Sequence, residues 1–366
     1  MHEAKMLVGG DWVDAKSGQT LPVENPANRE VFGAIPRGAA TDVEIAVKAA
    51  NDAFAAWSRV APRERGALLM RIADRLAERQ EELAQMIARE TGNALRTQAR
   101  GEAAGTVDIF RYFAGIAGEL KGQTIPLGEQ VLSYTRREPI GVVGAIVPWN
   151  APASLSALKI APALCAGNTI VLKTAEDASL SPLIIAQVCQ EVLPAGVVNV
   201  LTGLGEEAGA ALSAHPGVHK LSFTGSTEVG KLIMRAAAER IVPVSLELGG
   251  KSPSIVFPDA NEPWVVDGIL ASMRFTRQSQ SCTAGSRLFV HDSIFDDFVQ
   301  QVADKASALR LRSARREHRR GHADQRKAVQ AGVRLHSQRP GATSGTAGHR
   351  RAAARRRPAV PGLLHG

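Results

Sequence analysis

The sequence predicts an α/β fold, a doubly wound parallel sheet with helices on both faces. Two observations carry this expectation. From residue 141 onward, five short Val/Ile/Leu-rich strands, at 141–147, 169–173, 197–201, 219–223 and 242–246, alternate with helices near 153–166, 181–192, 205–214 and 226–239. That rhythm belongs to a parallel sheet buried on both sides. The second observation is size: 366 residues, 45% of them hydrophobic, suffice for two or three domains and a large core. Sheets of this kind bind ligands beyond the carboxyl ends of their strands. Trp149, Asn150, Lys173, Gly225, Ser226 and Glu247 all fall there.

The remaining elements follow in chain order. Residues 6–37 read as short strands joined by turns. Thr41-Asp-Val-Glu44 reads as a capping box, opening a helix with Val43, Val47, Ala50, Phe54 and Trp57 on one face. A longer helical region is expected over 63–91, carrying Leu69, Ile72, Leu76, Leu83 and Ile87 as its apolar stripe and stopped by Gly92. Further helix is expected through 97–118, then a hairpin over 120–140 that turns at Gly128. Beyond residue 285 the pattern is a strand followed by a helix.

Composition narrows the class. Cys165, Cys189 and Cys282 are the three cysteines, an odd and sparse set that argues against a disulfide framework and for a reducing compartment. The N-terminus has no long apolar run and no stretch reaches membrane-span length, so a cytoplasmic protein is expected. No Cys/His cluster has metal-ligand spacing, and no metal is expected. The net charge of +8 is unevenly placed: residues 312–366 hold thirteen Arg and one Lys against Glu317 and Asp324, a net of +12, which leaves 1–311 at −4.

Two motifs carry the chemistry. Cys282 lies among small polar residues in Phe275-Thr-Arg-Gln-Ser-Gln-Ser-Cys-Thr-Ala-Gly-Ser-Arg287, which leaves a path to its sulfur. Upstream, Glu247-Leu-Gly-Gly-Lys251 places a carboxylate at the end of an apolar strand. A thiol nucleophile and a carboxylate base are what covalent chemistry through a thioester requires. Phe223-Thr-Gly-Ser-Thr-Glu-Val-Gly230 joins a strand to a helix: Gly225 lets the chain turn, Ser226 and Thr227 can cap the helix, and Gly230 permits close packing. A helix start of this kind suits a pyrophosphate.

The Cys282 and Glu247 stretches together resemble the nucleophile and general-base signatures of the aldehyde dehydrogenase superfamily. The resemblance implies NAD-dependent oxidation of an aldehyde to a carboxylic acid, with NADP as an alternative nucleotide, on a Rossmann-like variant fold with a second α/β catalytic domain. The absence of G-x-G-x-x-G agrees with that variant. By resemblance, Cys282 is the nucleophile, Glu247 the base and Asn150 the side-chain donor to the oxyanion. Trp149, Lys173, Glu176, Gly225, Ser226 and Leu248 are then cofactor residues. A carboxylate at Glu176 would repel a 2′-phosphate and so favours NAD. Lys159 also matches a family position, without an assigned role. Ala151, Leu155 and Leu158 are expected to line the substrate entrance with Ser281 and Thr283, and the small Ala151 leaves room for a bulky or aromatic aldehyde.

The resemblance divides the chain into an NAD-binding domain (1–119 and 141–250), an oligomerisation hairpin (120–140) that implies a homo-oligomer, and the start of a catalytic domain (251–311). It stops after Leu311. Residues 312–366 lack Ile, Met, Phe, Trp, Tyr and Cys and read as a disordered basic tail. Codons for the family's usual continuation, read one register over, spell Arg312-Ser-Ala-Arg-Arg-Glu-His-Arg319. The expectation is therefore a shifted frame, an incomplete second domain, and a chain that is aggregation-prone with little activity. Two departures fall inside the resemblance. Thr174 stands where Pro is usual, and Ser279 where Gly is common; a positive φ there would cost about 1–2 kcal/mol. Two other readings compete: a CoA-acylating aldehyde dehydrogenase, and a non-catalytic protein whose basic tail binds nucleic acid. Glu247 argues against the first, because a hydrolytic base wastes the thioester.

Overall fold

The computed structural model describes residues 2–309 and the pair 334–335. Apart from that pair, the expected out-of-frame tail 312–366 lies outside the described residues. The chain divides into two compact units between Leu248 and Gly249.

The first unit opens with β1 (His2–Glu3), β2 (Met6–Val8), β3 (Asp11–Val13), β4 (Thr20–Asn25) and β5 (Glu30–Pro36), as the Gly- and Asn-rich turns of this segment suggest. Helix α1 (Ala40–Trp57) follows and buries Val43, Val47, Ala50 and Trp57, with Phe54 half-buried. The expected Thr41–Glu44 capping box does not form. Asp42 takes that role: its carboxylate accepts the N–H of Ala39 at 2.9 Å and of Lys16 at 2.9 Å. The helix therefore starts two residues earlier, with Ala39 rather than Thr41 at its cap, tied to the preceding loop.

The helical region expected over 63–91 consists of two helices, α2 (Pro62–Glu78) and α3 (Gln80–Thr91), separated at Arg79, whose backbone leaves the helical region (φ −105°, ψ 14°). The apolar stripe continues across the break, which is why periodicity alone does not show it; Leu69, Ile72, Leu76, Leu83 and Ile87 are all fully buried. Gly92 ends α3 with φ +72°, the left-handed stop that glycine adopts without a Cβ penalty. Residues Leu95–Ala99 form a π-helical turn before α4 (Arg100–Ile116). Strands β6 (Thr124–Pro126) and β7 (Leu132–Tyr134) then pair antiparallel as the expected hairpin, with Gly128 at φ +109° in the turn.

The five parallel strands are β8 (Val142–Ile146), β9 (Thr169–Lys173), β10 (Val198–Leu201), β11 (Lys220–Gly225) and β12 (Val244–Leu248). They are linked by α5 (Pro152–Cys165), α6 (Leu180–Val192), α7 (Ala210–Ala214, after a π-helical turn at Gly205–Gly209) and α8 (Thr227–Arg240). Sheet order is β12-β11-β8-β9-β10-β2-β3, so two antiparallel strands from the N-terminus extend one edge. The last parallel strand runs 244–248 rather than 242–246. Ile241 ends α8 in the left-handed region, and Pro243 has no N–H to give the ladder, so pairing with β11 begins at Val244 opposite Leu221. Glu247 therefore lies within the strand.

Both faces of the central strands β8, β9 and β10 are covered. Val143, Ala145, Ile170 and Leu172 pack with residues of α2 to α6. The alternate residues Val142, Val171, Leu221 and Phe223 pack with residues of α1, α7 and α8. Strand side chains alternate between faces, and here both faces are apolar, so the strands read as continuous hydrophobic runs.

The second unit contains β13 (Ser252–Val256), α9 (Pro263–Ser272), β14 (Gly285–Val290), α10 (Phe295–Ser307) and the short β15 (Arg334–Leu335), the three strands pairing parallel in the order β13-β14-β15. Val256, Val266, Leu288, Val290, Phe298 and Val302 form its own small core. Among the described residues, no helix is long and apolar enough to cross a membrane.

Candidate active site

In the first unit the strand order reverses between β8 and β11, which are hydrogen-bonded neighbours. The crevice beyond such a reversal is where sheets of this class bind ligands. Strand β8 delivers Trp149, exposed, and Asn150, half-buried, just before Pro152 opens α5. Asn93, itself buried, donates its side-chain N–H to the Asn150 carbonyl oxygen at 3.4 Å. The Glu102 carboxylate accepts the N–H groups of Ala153 at 3.2 Å and Ser154 at 3.4 Å, capping α5. The segment carrying Asn150 is thus held by its main chain from two sides.

Strand β9 ends at Lys173, whose side chain is only 2% exposed and whose Nζ lies 2.9 Å from a Glu176 carboxylate oxygen. Burial alone would push Glu176 up; the Lys173 charge and hydrogen bond outweigh it and hold the carboxyl below its usual value. Thr174 contributes more than backbone stiffness. Its buried hydroxyl pairs with Ser179 Oγ at 2.7 Å and donates to the Leu201 carbonyl at 3.2 Å, tying the 174–179 loop to itself and to β10.

Strand β11 ends at Gly225, and Ser226 caps α8 by accepting the Val229 N–H at 3.2 Å. A Cβ at Gly225 would run into the Phe223 ring, and one at Gly230 would lie 2.7 Å from Leu248 Cδ2. Both glycines thus permit close packing, and the second sets Leu248 against α8. Glu247 points to the exposed side of β12, opposite Thr224 on β11. Lys159 on α5 is buried, which lowers its pKa, while attraction to Glu247 acts against that shift. Of the residues expected at the substrate entrance, Ala151 is buried, Leu155 packs against the core, and Leu158 is exposed.

In the second unit, Cys282 is exposed in a turn between the 3-10 segment Phe275–Arg277 and β14. The turn is conformationally demanding: Arg274, Gln278 and Ser279 have φ of +57°, +50° and +61°. Ser279 occupies the left-handed region in which a Cβ is penalised, as its comparison with glycine anticipates. Ser281 and Thr283 flank the cysteine and their hydroxyls pair at 3.1 Å. The segment after Glu247 is attached to this turn. A Cβ at Gly250 would lie 3.0 Å from the Cys282 carbonyl oxygen, and Arg287 donates to the Lys251 carbonyl at 2.8 Å.

The other two thiols are buried. Burial raises the pKa of Cys165 and pushes that of Cys189 up to about 12, so both stay protonated and inert. Cys282 belongs to the second unit, whereas Trp149, Asn150, Lys173, Glu176, Gly225, Ser226, Glu247 and Leu248 belong to the first.

Glu90, Asn93 and Glu102 are not evident from the motifs. They have one sequence signal: Glu90 follows Leu83 and Ile87 on the same helical stripe, where an apolar residue is expected. A charged residue on a buried stripe needs partners, and Glu90 finds them at Leu180 and Ser181.

Comparison with known proteins follows the same lines. The aldehyde dehydrogenase family profile matches residues 12–352. The chain is 43% identical over 302 residues to aldehyde dehydrogenase 1 of Tanacetum cinerariifolium, a match covering 81% of this chain and 60% of that protein. Among solved structures, PnpE of Pseudomonas sp. WBC-3 in complex with nicotinamide adenine dinucleotide superposes with a TM-score of 0.83 at 43% identity, over 85% of this chain and 64% of that one. An NADP-dependent enzyme of E. coli gives 0.83 at 38% identity, over 86% and 66%. The chain spans about three fifths of the length of the curated relatives it matches, 62% and 60%.

Proposed function

The chain belongs to the aldehyde dehydrogenase family, and from that premise we propose that its residues serve the NAD-dependent oxidation of an aldehyde to a carboxylic acid. The observation that carries the proposal is Cys282: the exposed thiol of the three cysteines, in a turn packed against Gly250, three residues after Glu247.

The first unit fits a dinucleotide. Ser226 caps only the Val229 N–H, the start of α8 is the kind of helix end that suits an anionic group, and glycines at 225 and 230 keep side chains out of the turn. The ionised Glu176, fixed by Lys173, is placed to accept ribose hydroxyls and to repel a 2′-phosphate, which favours NAD with NADP as the weaker alternative. When bound, NAD supplies the hydride acceptor.

The chain's own residues do the rest. Cys282 Sγ, as thiolate, forms a bond to the aldehyde carbon, and the carbonyl electrons move to oxygen. The Asn150 side-chain amide and the Cys282 N–H stabilise that oxyanion, which needs donors in place before charge develops. Loss of hydride leaves a thioester on Cys282. Glu247 takes a proton from water, the water oxygen attacks the thioester carbon, and the C–S bond breaks to return the thiolate and release the acid.

Two further parts of the reading concern the assembly. The β6–β7 hairpin is exposed along its length, with Leu132 80% and Tyr134 66% exposed, and an isolated two-stranded hairpin is marginal in water. We assign it to pairing with a second copy of the chain. Unpaired thiols agree with a cytoplasmic setting.

The test is NADH formation with a panel of aldehydes. Cys282→Ala should abolish it while NAD binding persists; turnover retained by that variant would place the chemistry elsewhere.

A further inference from the structure

Helix α6 begins immediately after the 174–179 loop, and its first N–H groups need acceptors, as at any helix start. The expected cap residue, Ser179, does not supply one: its hydroxyl donates to the Ala175 carbonyl at 2.6 Å and pairs with Thr174. The acceptor comes from another helix. Glu90, near the end of α3 and 3% exposed, accepts the Leu180 N–H at 2.8 Å on one carboxylate oxygen. Its other oxygen takes the Ser181 N–H at 3.1 Å and the Ser181 hydroxyl. Glu176 lies in the short segment between Lys173, the last residue of β9, and this capped start.

We propose that Glu90 is a positioning residue for the nucleotide site: ionised, it fixes the α6 end of the 174–179 loop and so holds Glu176 beside Lys173, and protonated, it loosens that hold. The inference rests on the reading of this loop as the ribose-binding segment.

Geometry gives the reason. A carboxylate accepts on both oxygens and serves all three donors; a neutral carboxyl turns one oxygen into a donor and leaves an N–H of α6 poorly matched. Burial pushes Glu90 up to about 7 against the pull of the Ser181 and Leu180 donors, so both forms are populated near neutral pH. From the elements packed around α3, the ionisable group that acts on Glu90 is Glu102 on α4, whose like charge also raises it. Arg89, the adjacent cation on α3, is turned onto the Phe32 ring at 4.1 Å.

The experiment measures NAD dissociation constants of the full chain by tryptophan fluorescence from about pH 5.5 to about pH 8.5, a window that brackets the titration. Affinity of the unaltered chain should weaken roughly threefold to tenfold as pH falls through this range, the scale of one net hydrogen bond. Glu90→Gln should bind NAD with the weak, low-pH affinity throughout and show no inflection. Glu102→Gln should move the midpoint to lower pH, a shift that a purely structural role would not produce. A flat profile in the unaltered chain, or an unchanged inflection in Glu90→Gln, overturns the proposal. Absence of NAD binding at every pH overturns both this and the dinucleotide reading, whereas binding with a flat profile overturns this alone. Should Glu90→Gln fail to fold, amide exchange at Leu180 and Ser181 of the unaltered chain decides: protection, corrected for intrinsic rates, must fall on acidification, and pH-independent protection overturns the proposal.

Discussion

Gly250 lies against Cys282 so closely that a Cβ on the glycine would stand 3.0 Å from the cysteine carbonyl oxygen. The turn that follows Glu247 is therefore built into the floor of the nucleophile loop. Any Cβ there would crowd that oxygen, so the glycine matters for space rather than for backbone conformation, since Gly250 has no positive φ. Both residues belong to the second unit, which begins at Gly249.

Exposure separates the three thiols. Cys282 is open to solvent while Cys165 and Cys189 are buried with raised pKa values. Iodoacetamide should label one thiol quickly, and peptide mapping should find it at Cys282. Cys282→Ala should lose the fast phase entirely. Rapid labelling at Cys189 would contradict the described packing of α6.

Replacing the base should divide the reaction. Glu247→Gln keeps the size of the side chain and removes its ability to take a proton. Rapid-mixing measurements should show a first-turnover burst of NADH, then a steady state slower by about a hundredfold or more, the typical contribution of a general base. Loss of the burst as well would assign Glu247 to activating Cys282.

Nucleotide choice should turn on one carboxylate. Glu176→Ser removes the carboxylate proposed to face the ribose 2′ position and frees Lys173, its 2.9 Å partner. The ratio of NADP to NAD affinity should rise about tenfold, the scale of one charge-assisted hydrogen bond. An unchanged ratio would mean that the carboxylate does not face the ribose.

Much of this was legible in the chain. The parallel strands were readable because both sheet faces are apolar, and the caps at Gly92 and Ser226 because those residue types are chosen for their local chemistry. What escaped was tertiary. Pairing of β2 and β3 onto the sheet edge depends on partners about 190 residues away, such as Leu7 opposite Val200. The break at Arg79 interrupts the backbone without interrupting the apolar stripe. Asp42 displaced the expected Thr41–Glu44 box because its carboxylate also satisfies Lys16. The candidate site residues were proposed from motifs; Glu90, Asn93 and Glu102, which hydrogen-bond the segments around them, have no motif, only the anomaly of polar groups on buried faces.

The nucleophile turn should gain stability from glycine. Ser279 sits at φ +61°, which costs a residue with a Cβ about 1–2 kcal/mol. Ser279→Gly recovers this, less the roughly 0.5–1 kcal/mol by which glycine loses more freedom on folding. The sum favours glycine, and thermal unfolding should show a Tm higher by a few degrees. A lower Tm would mean that the serine side chain contributes more than its backbone strain costs.

Glu90 should make stability depend on pH in a stated direction. Its carboxyl titrates at about 7 when folded against an ordinary 4.5. A group whose folded value is raised binds its proton more tightly in the folded state, so its contribution is complete below about 4.5 and is lost as pH rises through about 7. Glu90→Gln carries no titrating group and escapes that loss. The Tm of Glu90→Gln minus that of the unaltered chain should therefore become more positive between about pH 5 and about pH 8, the window set by those two values. The same ionisation that tightens the α6 start thus costs global stability, a trade expected where a buried charge serves a site. A difference that stays constant with pH, or becomes more negative, would show that the three donors from Leu180 and Ser181 fully offset the burial of the carboxylate.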